Sequence, residues 1–147
     1  MYSIVNKKSG CKCFISVFLA GSLAACGESP PPMPELSFEE RLQQQLIESK
    51  PGDVIEVPAG IHELTRSLSL TVPGVTLRGE GMNQSVLSFK GQIQGAEGLL
   101  VSANDFVIED LAIEDTIGDA LKISDSTNVT IRRVRTEWTN GPSEFNG

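Results

Sequence analysis

Histidine and tryptophan each occur once in this 147-residue chain, and aromatic residues together make up only 5 % of it. One histidine rules out a metal site built on several imidazoles and leaves a Ser-His-Asp triad a single base, His62. Few aromatics beside 39 % hydrophobic residues argue against a thick globular core and suit a stacked or elongated architecture. The longest apolar run, Phe14 to Ala25, falls short of the roughly 20 residues that a membrane-spanning helix needs. Basic residues are also scarce: Lys and Arg total 12 against 19 Asp and Glu, a net charge of −7. That balance makes the chain a poor nucleic-acid binder, and it repels acidic polysaccharides except at a local basic face or through a bound cation.

The apolar run follows Lys7, Lys8 and Lys12 and ends in Leu23-Ala24-Ala25-Cys26. Basic segment, short apolar stretch and small residues form the layout of a secretory signal peptide over residues 1–25. The Leu-Ala-Ala-Cys ending resembles the lipobox of bacterial lipoproteins, which implies acylation of Cys26 and a membrane partner held through the lipid. Ordinary cleavage, with Cys26 a bystander, is the alternative. Gly27 stands where an inner-membrane retention signal carries Asp, so the resemblance implies an outer-membrane lipoprotein of the cell envelope. Each buried acyl CH₂ contributes about 0.8 kcal/mol. Cys11 and Cys13 leave with the signal, so the mature chain has one cysteine and no intrachain disulfide. Three lysines leave with them, taking the net charge from −7 to −10.

Residues 26–36 carry Pro30-Pro31-Pro32 and Pro34 and are expected to form an extended, semi-rigid linker. Ser37 and Glu40 then make a capping box, and Phe38, Leu42, Leu46 and Ile47 fall on one helical stripe, with Glu39, Arg41, Gln43, Gln44 and Glu48 facing elsewhere. Pro51-Gly52 ends that helix.

From Asp53 onward the period drops to two: Leu68/Leu70, Val75/Leu77, Leu99/Val101, Phe106/Ile108, Leu121/Ile123, Val129/Ile131. Leu99-Leu100-Val101-Ser102 recurs as Leu121-Lys122-Ile123-Ser124, and Phe106-Val107-Ile108-Glu109 recurs as Val129-Thr130-Ile131-Arg132. The pattern fits a coil of about 22 residues, lengthened once by an insertion around Lys90 to Gly98. Leucine-rich repeats need a denser leucine pattern, and hexapeptide helices need steps of six. What remains is an all-β, right-handed, single-stranded parallel β-helix over residues 37–147, with the short helix as its N-terminal cap. The chain stops after Asn140-Gly141-Pro142 with no amphipathic cap, so the domain is expected to be incomplete there or to need a partner over its last coil.

The helix followed by "PGDVIEVPAGIHEL" and "GVTLRGEG", with "NDFVIEDLAIED" and "TNVTIRRVRTEW" as generic repeats, resembles the pectin-lyase-like superfamily of parallel β-helices. The resemblance implies the fold and leaves activity open, because that superfamily includes lyases, epimerases, hydrolases and adhesins.

The offsets place Val75, Phe106 and Val129 in one inward column and Leu77, Ile108 and Ile131 in another. They also place Glu109 between Arg78 and Arg132 on the outside, with Asp110 beside Arg133. This is a charge ladder suited to fixing register. Glu114 falls beside Glu137, a like-charge pair that Ca²⁺ would relieve. Lys122, Arg132 and Arg135 are the basic candidates for a ligand face; in uronan-cleaving members of the resembled superfamily such a residue acts as the base. Trp138 is a candidate sugar platform. Pairing of Arg132, and of Arg133 beside it, with the predicted acidic partners, and edge packing of Trp138, are the structural alternatives. No spacing selects a catalytic set. The sequence reading is therefore of an envelope protein binding a polysaccharide or an envelope protein partner. The alternatives are the N-terminal part of a polysaccharide lyase, epimerase or hydrolase, and a purely structural or adhesive β-helix.

Overall fold

The computed structural model describes residues 35–139; Cys26, the signal peptide and the prolines of the linker lie outside them. Helix α1 (Phe38–Glu48) is followed by nine strands: β1 (Val54–Val57), β2 (Gly60–Glu63), β3 (Arg66–Leu70), β4 (Thr76–Gly79), β5 (Ser85–Ser88), β6 (Gln94–Val101), β7 (Val107–Glu114), β8 (Leu121–Ile123) and β9 (Thr130–Glu137). Every strand pairing is parallel and joins a strand to its equivalent one coil on. The chain is thus a parallel β-helix, as its periodicity predicts, and it winds through about four turns.

Two sheets result. β3, β6 and β8 form one, and β1, β4, β7, β5, β2 and β9 form the other. The second sheet turns a corner because β7 and β9 run unbroken where earlier coils use two strands. Asp110 (φ 59°) and Arg133 (φ 51°) make that bend in the left-handed region. A second corner repeats on every coil: Gly52, Gly74, Asp105 and Asn128 all have positive φ, from 56° to 97°. Glycine and the short polar Asp and Asn side chains tolerate that conformation. The coils are pinned there by Gly52 N–H to Gly74 C=O (2.8 Å), Gly74 N–H to Asn104 C=O (2.9 Å) and Asp105 N–H to Thr127 C=O (2.9 Å).

The register confirms the repeat. Leu77 faces Ile108, and Ile108 faces Ile131. Val75, Leu77, Phe106 and Ile108 are fully buried, each contributing about 1.5–3 kcal/mol. Ile131 departs from the expectation of an inward, buried column: it is 52 % exposed, because β9 is the last described strand and Ile108 covers it from one side only.

The insertion placed around Lys90 to Gly98 is found there, but it is divided in two and a third lengthening precedes it. Between the first and second coils the register offset is 22 residues at Ile55/Leu77, 25 at Ile61/Val86, 28 at Arg66/Gln94 and 31 at Leu68/Leu99. The extra length therefore enters at three places: the turn between β4 and β5, the turn between β5 and β6, and a bulge within β6. After the bulge the pairing of β3 with β6 resumes in register from Leu68 opposite Leu99.

Helix α1 closes the first coil. Ser37 and Glu40 form the expected reciprocal capping box, and Leu42 and Leu46 are buried in the coil interior. Ile47, expected on the same stripe, is instead 62 % exposed and lines a surface groove with Gln43, Gln44 and Arg66. Glu39 and Gln43, expected to face elsewhere, instead turn inward onto β3. Gln43 accepts from Ser69 N–H (2.9 Å) and donates to Ser69 C=O (3.1 Å), standing in for a missing neighbouring strand. Glu39 accepts from Thr65 N–H and from its hydroxyl, and pairs with Arg66 at 3.0 Å.

Candidate functional site

The first half of the corner sheet (β1, β4 and the N-terminal parts of β7 and β9) carries two outward columns. One is Val54, Thr76, Val107 and Thr130; the other is Glu56, Arg78, Glu109 and Arg132. Neighbouring strands lie about 4.8 Å apart, so the second column alternates in sign over four coils, with ion pairs joining Arg78 to Glu109 and Glu109 to Arg132.

Arg78 donates from Nε to Glu109 Oε1 (2.7 Å). Arg132 donates from Nε to Glu109 Oε2, and Arg133 Nη2 approaches the same oxygen at 3.7 Å. Arg133 also makes a forked pair with Asp110, at 2.5 and 2.7 Å. The arginine side chains are 44–55 % exposed, whereas Glu109 is 2 % exposed beneath them. The Arg132 hydrogen bond, then that of Arg78, holds the Glu109 carboxyl below its usual range. The Arg133 hydrogen bond does the same for Asp110. Glu109 in turn raises the pKa of Arg78, with a smaller contribution from Glu56.

Past the bend, Glu114 does lie beside Glu137 in register. The guanidinium of Arg135 spans them: Nη2 is 2.6 Å from Glu114 and Nη1 bonds Glu137. An arginine therefore supplies the positive charge that the like-charge pair requires. Among the described residues no group of three or more His, Cys, Asp or Glu gathers to hold a metal ion. Arg135 Nε also reaches Met82 C=O (3.2 Å), 53 residues away, tying the lengthened turn of the second coil to the fourth.

The remaining candidates lie elsewhere. Lys122 is on β8 in the other sheet, paired with Glu97 at 2.8 Å; that hydrogen bond lowers the Glu97 pKa and raises that of Lys122. Trp138 follows β9, packs against the core and donates to Thr116 C=O (2.8 Å). His62 stacks on Phe38 with ring centroids 3.8 Å apart and places Nε2 2.9 Å from Pro58 C=O. Of the ligand-face candidates, only Arg132 belongs to the dense guanidinium row, together with Arg78 and Arg133. Those two are legible in the sequence as ladder members; what the sequence hides is the depth of Glu109 below them.

Chemically, the row supplies fixed hydrogen-bond donors of permanent positive charge. Its carboxylates are held ionised and are committed to arginines, an arrangement that suits recognition of an anion better than proton transfer. Compared with protein-family models, with curated proteins and with solved structures, the chain matches none, so the β-helix stands on its strand register.

Proposed function

We propose that the chain is a lipid-anchored binding module of the cell envelope, in the manner of a pectin-lyase-like β-helix, which holds an acidic polysaccharide on its guanidinium row without cleaving it. One observation carries this reading. Arg78, Arg132 and Arg133 are about half exposed while Glu109, which all three approach, is buried and Asp110 is only a quarter exposed, so guanidinium groups make up most of the surface these pairs show to solvent on a chain of net charge −7. Such a local basic face is what an acidic protein needs in order to meet an acidic glycan. Only the Nε of Arg78 and of Arg132 is committed to Glu109; their terminal N–H groups remain to grip carboxylates in the planar geometry that favours arginine. The lipobox-like ending at Cys26 supports membrane attachment, and the linker over residues 26–36 supports presentation away from the bilayer.

Affinity electrophoresis in gels containing alginate, pectate or a neutral glucan tests the reading. The protein is expected to be retarded by the acidic polymers only, less so as salt rises, and to generate no unsaturated-uronate absorbance with or without Ca²⁺. The Arg132→Gln/Arg133→Gln variant should migrate as if no glycan were present. Equal retardation of that variant, or of the protein in neutral glucan, would overturn the assignment of the row. Uronate release would make the protein an enzyme.

A further inference from the structure

The two ends of the first coil are closed to different degrees. Along β3 the helix satisfies the strand edge, with Glu39 on Thr65 and Gln43 on Ser69. Along β1 it does not. β1 pairs with β4 alone, and no hydrogen bond described for helix α1 reaches it. Thr76 N–H donates to Asp53 C=O (2.9 Å), and Ser85 Oγ donates to Val57 C=O (2.8 Å). In a parallel ladder alternate residues turn their backbone groups to the same side. The N–H and C=O of Val54 and Glu56 therefore point to the opposite edge, where no described strand pairs with them.

That edge forms one wall of an open groove of about 540 Å³, whose other wall is Gln45, Glu48 and Ser49 at the end of the helix. The groove is acidic. Glu48, Asp53 and Glu56 line it, and the last helical turn carries no basic residue, so the negative end of the helix dipole adds to them. Lys50 is the only cation between residues 45 and 56. Glu48 accepts from Gln44 (3.0 Å) and Asp53 from Lys50 N–H (2.7 Å), so both carboxylates are fixed in place. Val54, 46 % exposed, supplies an apolar contact at the centre.

We propose that this groove takes an extended basic segment of a partner protein as an added strand, bonded through its main chain to Val54 and Glu56 and held by Glu48, Asp53 and Glu56. Strand addition to an open edge gives affinity through backbone bonds and selectivity through alternate side chains. Here the chemistry selects Lys or Arg alternating with small apolar residues. An uncovered edge is otherwise an aggregation hazard, and the carboxylates guard it against other copies of this acidic chain. The site lies at the capped end of the solenoid and meets the guanidinium row only at Glu56, the first member of that column.

A fluorescently labelled Lys-Val-Lys-Val-Lys-Val peptide, titrated with the full chain and followed by anisotropy, tests the proposal. Saturable binding is expected, weakened about 2- to 30-fold by Glu48→Gln/Glu56→Gln. Val54→Pro removes an N–H that faces away from β4 and should weaken binding about 5- to 10-fold. The same peptide N-methylated along its backbone should fail to bind the unaltered protein, a readout that does not depend on any variant folding. Arg132→Gln/Arg133→Gln should leave peptide binding unchanged, separating this site from the glycan reading. Absence of saturable binding, or undiminished binding of the N-methylated peptide, would overturn the proposal, the latter by showing charge attraction alone.

Discussion

Replacing Gly79 with alanine tests how closely successive coils lie on one another. Gly79 ends β4 at the corner where the next coil bends at Asp110. A Cβ there would overlap the Asp110 carbonyl oxygen and lie 2.8 Å from Ser85 Cβ and 2.9 Å from Leu111 Cβ, against an optimum of about 3.5–4.0 Å for carbon pairs. The obstructing atoms belong to backbone and to Cβ positions, so no rotamer change relieves them. The coils cannot simply part, because the register on either side holds Leu77 against Ile108 and Val86 against Ala112. Overpacking of this kind costs about 1–3 kcal/mol, which for a domain of roughly 100 residues corresponds to a Tm lower by roughly 5–20 °C. Gly91, with no atom within 4 Å of its would-be Cβ, is the control; Gly91→Ala should change stability by less than about 0.5 kcal/mol. Scanning calorimetry or urea denaturation of both variants decides the matter. If Gly79→Ala proves as stable as Gly91→Ala, the coils do not approach as described.

Three other perturbations probe the cap and the charge ladder. Leu42→Asp/Leu46→Asp places two carboxylates in the interior of the first coil and should abolish soluble monomer; a soluble, monomeric double variant on size exclusion would refute the role of α1 as a lid. Gln43→Ala strips the Ser69 edge of its partner and should cost about 1–3 kcal/mol, with faster hydrogen exchange at the Ser69 amide; unchanged exchange would contradict the edge-capping geometry. Glu109, Asp110 and Glu97 all have folded-state pKa values below their ordinary ones. Their stabilisation is thus complete above the unfolded carboxylate pKa of about 4 and is lost as pH falls through the lower folded values. Tm should fall as pH drops below about 4, and Glu109→Gln should flatten that fall; identical pH profiles would show that the ladder does not contribute.

The fold was legible wherever burial imposes periodicity. Leu77, Ile108 and Ile131 occupy one column because a parallel coil must bring apolar residues back to the same interior, and a fixed repeat in the sequence records that requirement. The ladder was legible for the same reason: Glu109 follows Ile108 as Arg132 follows Ile131. Turn lengths carry no such constraint, so the division of the extra residues of the second coil among three places left no pattern to read. The inward turn of Glu39 and Gln43 was hidden because a helical wheel assigns polar residues to solvent. Their partners are the backbone groups of Thr65 and Ser69, which any sequence would possess. Arg133 at φ 51° gave no signal either; its position is forced by stacking on Asp110, whose residue type does favour the bend. The open edge of β1 is likewise a property of which backbone groups the helix leaves uncovered, and it becomes visible only once the register is known.

The most direct test of the stacked-coil account is a set of interstrand nuclear Overhauser contacts between backbone protons of Leu77 and Ile108 and of Ile108 and Ile131. The account predicts both sets, in the pattern of parallel strands. Antiparallel contacts between sequence-adjacent strands such as β4 and β5, with none linking Leu77 to Ile108, would contradict it.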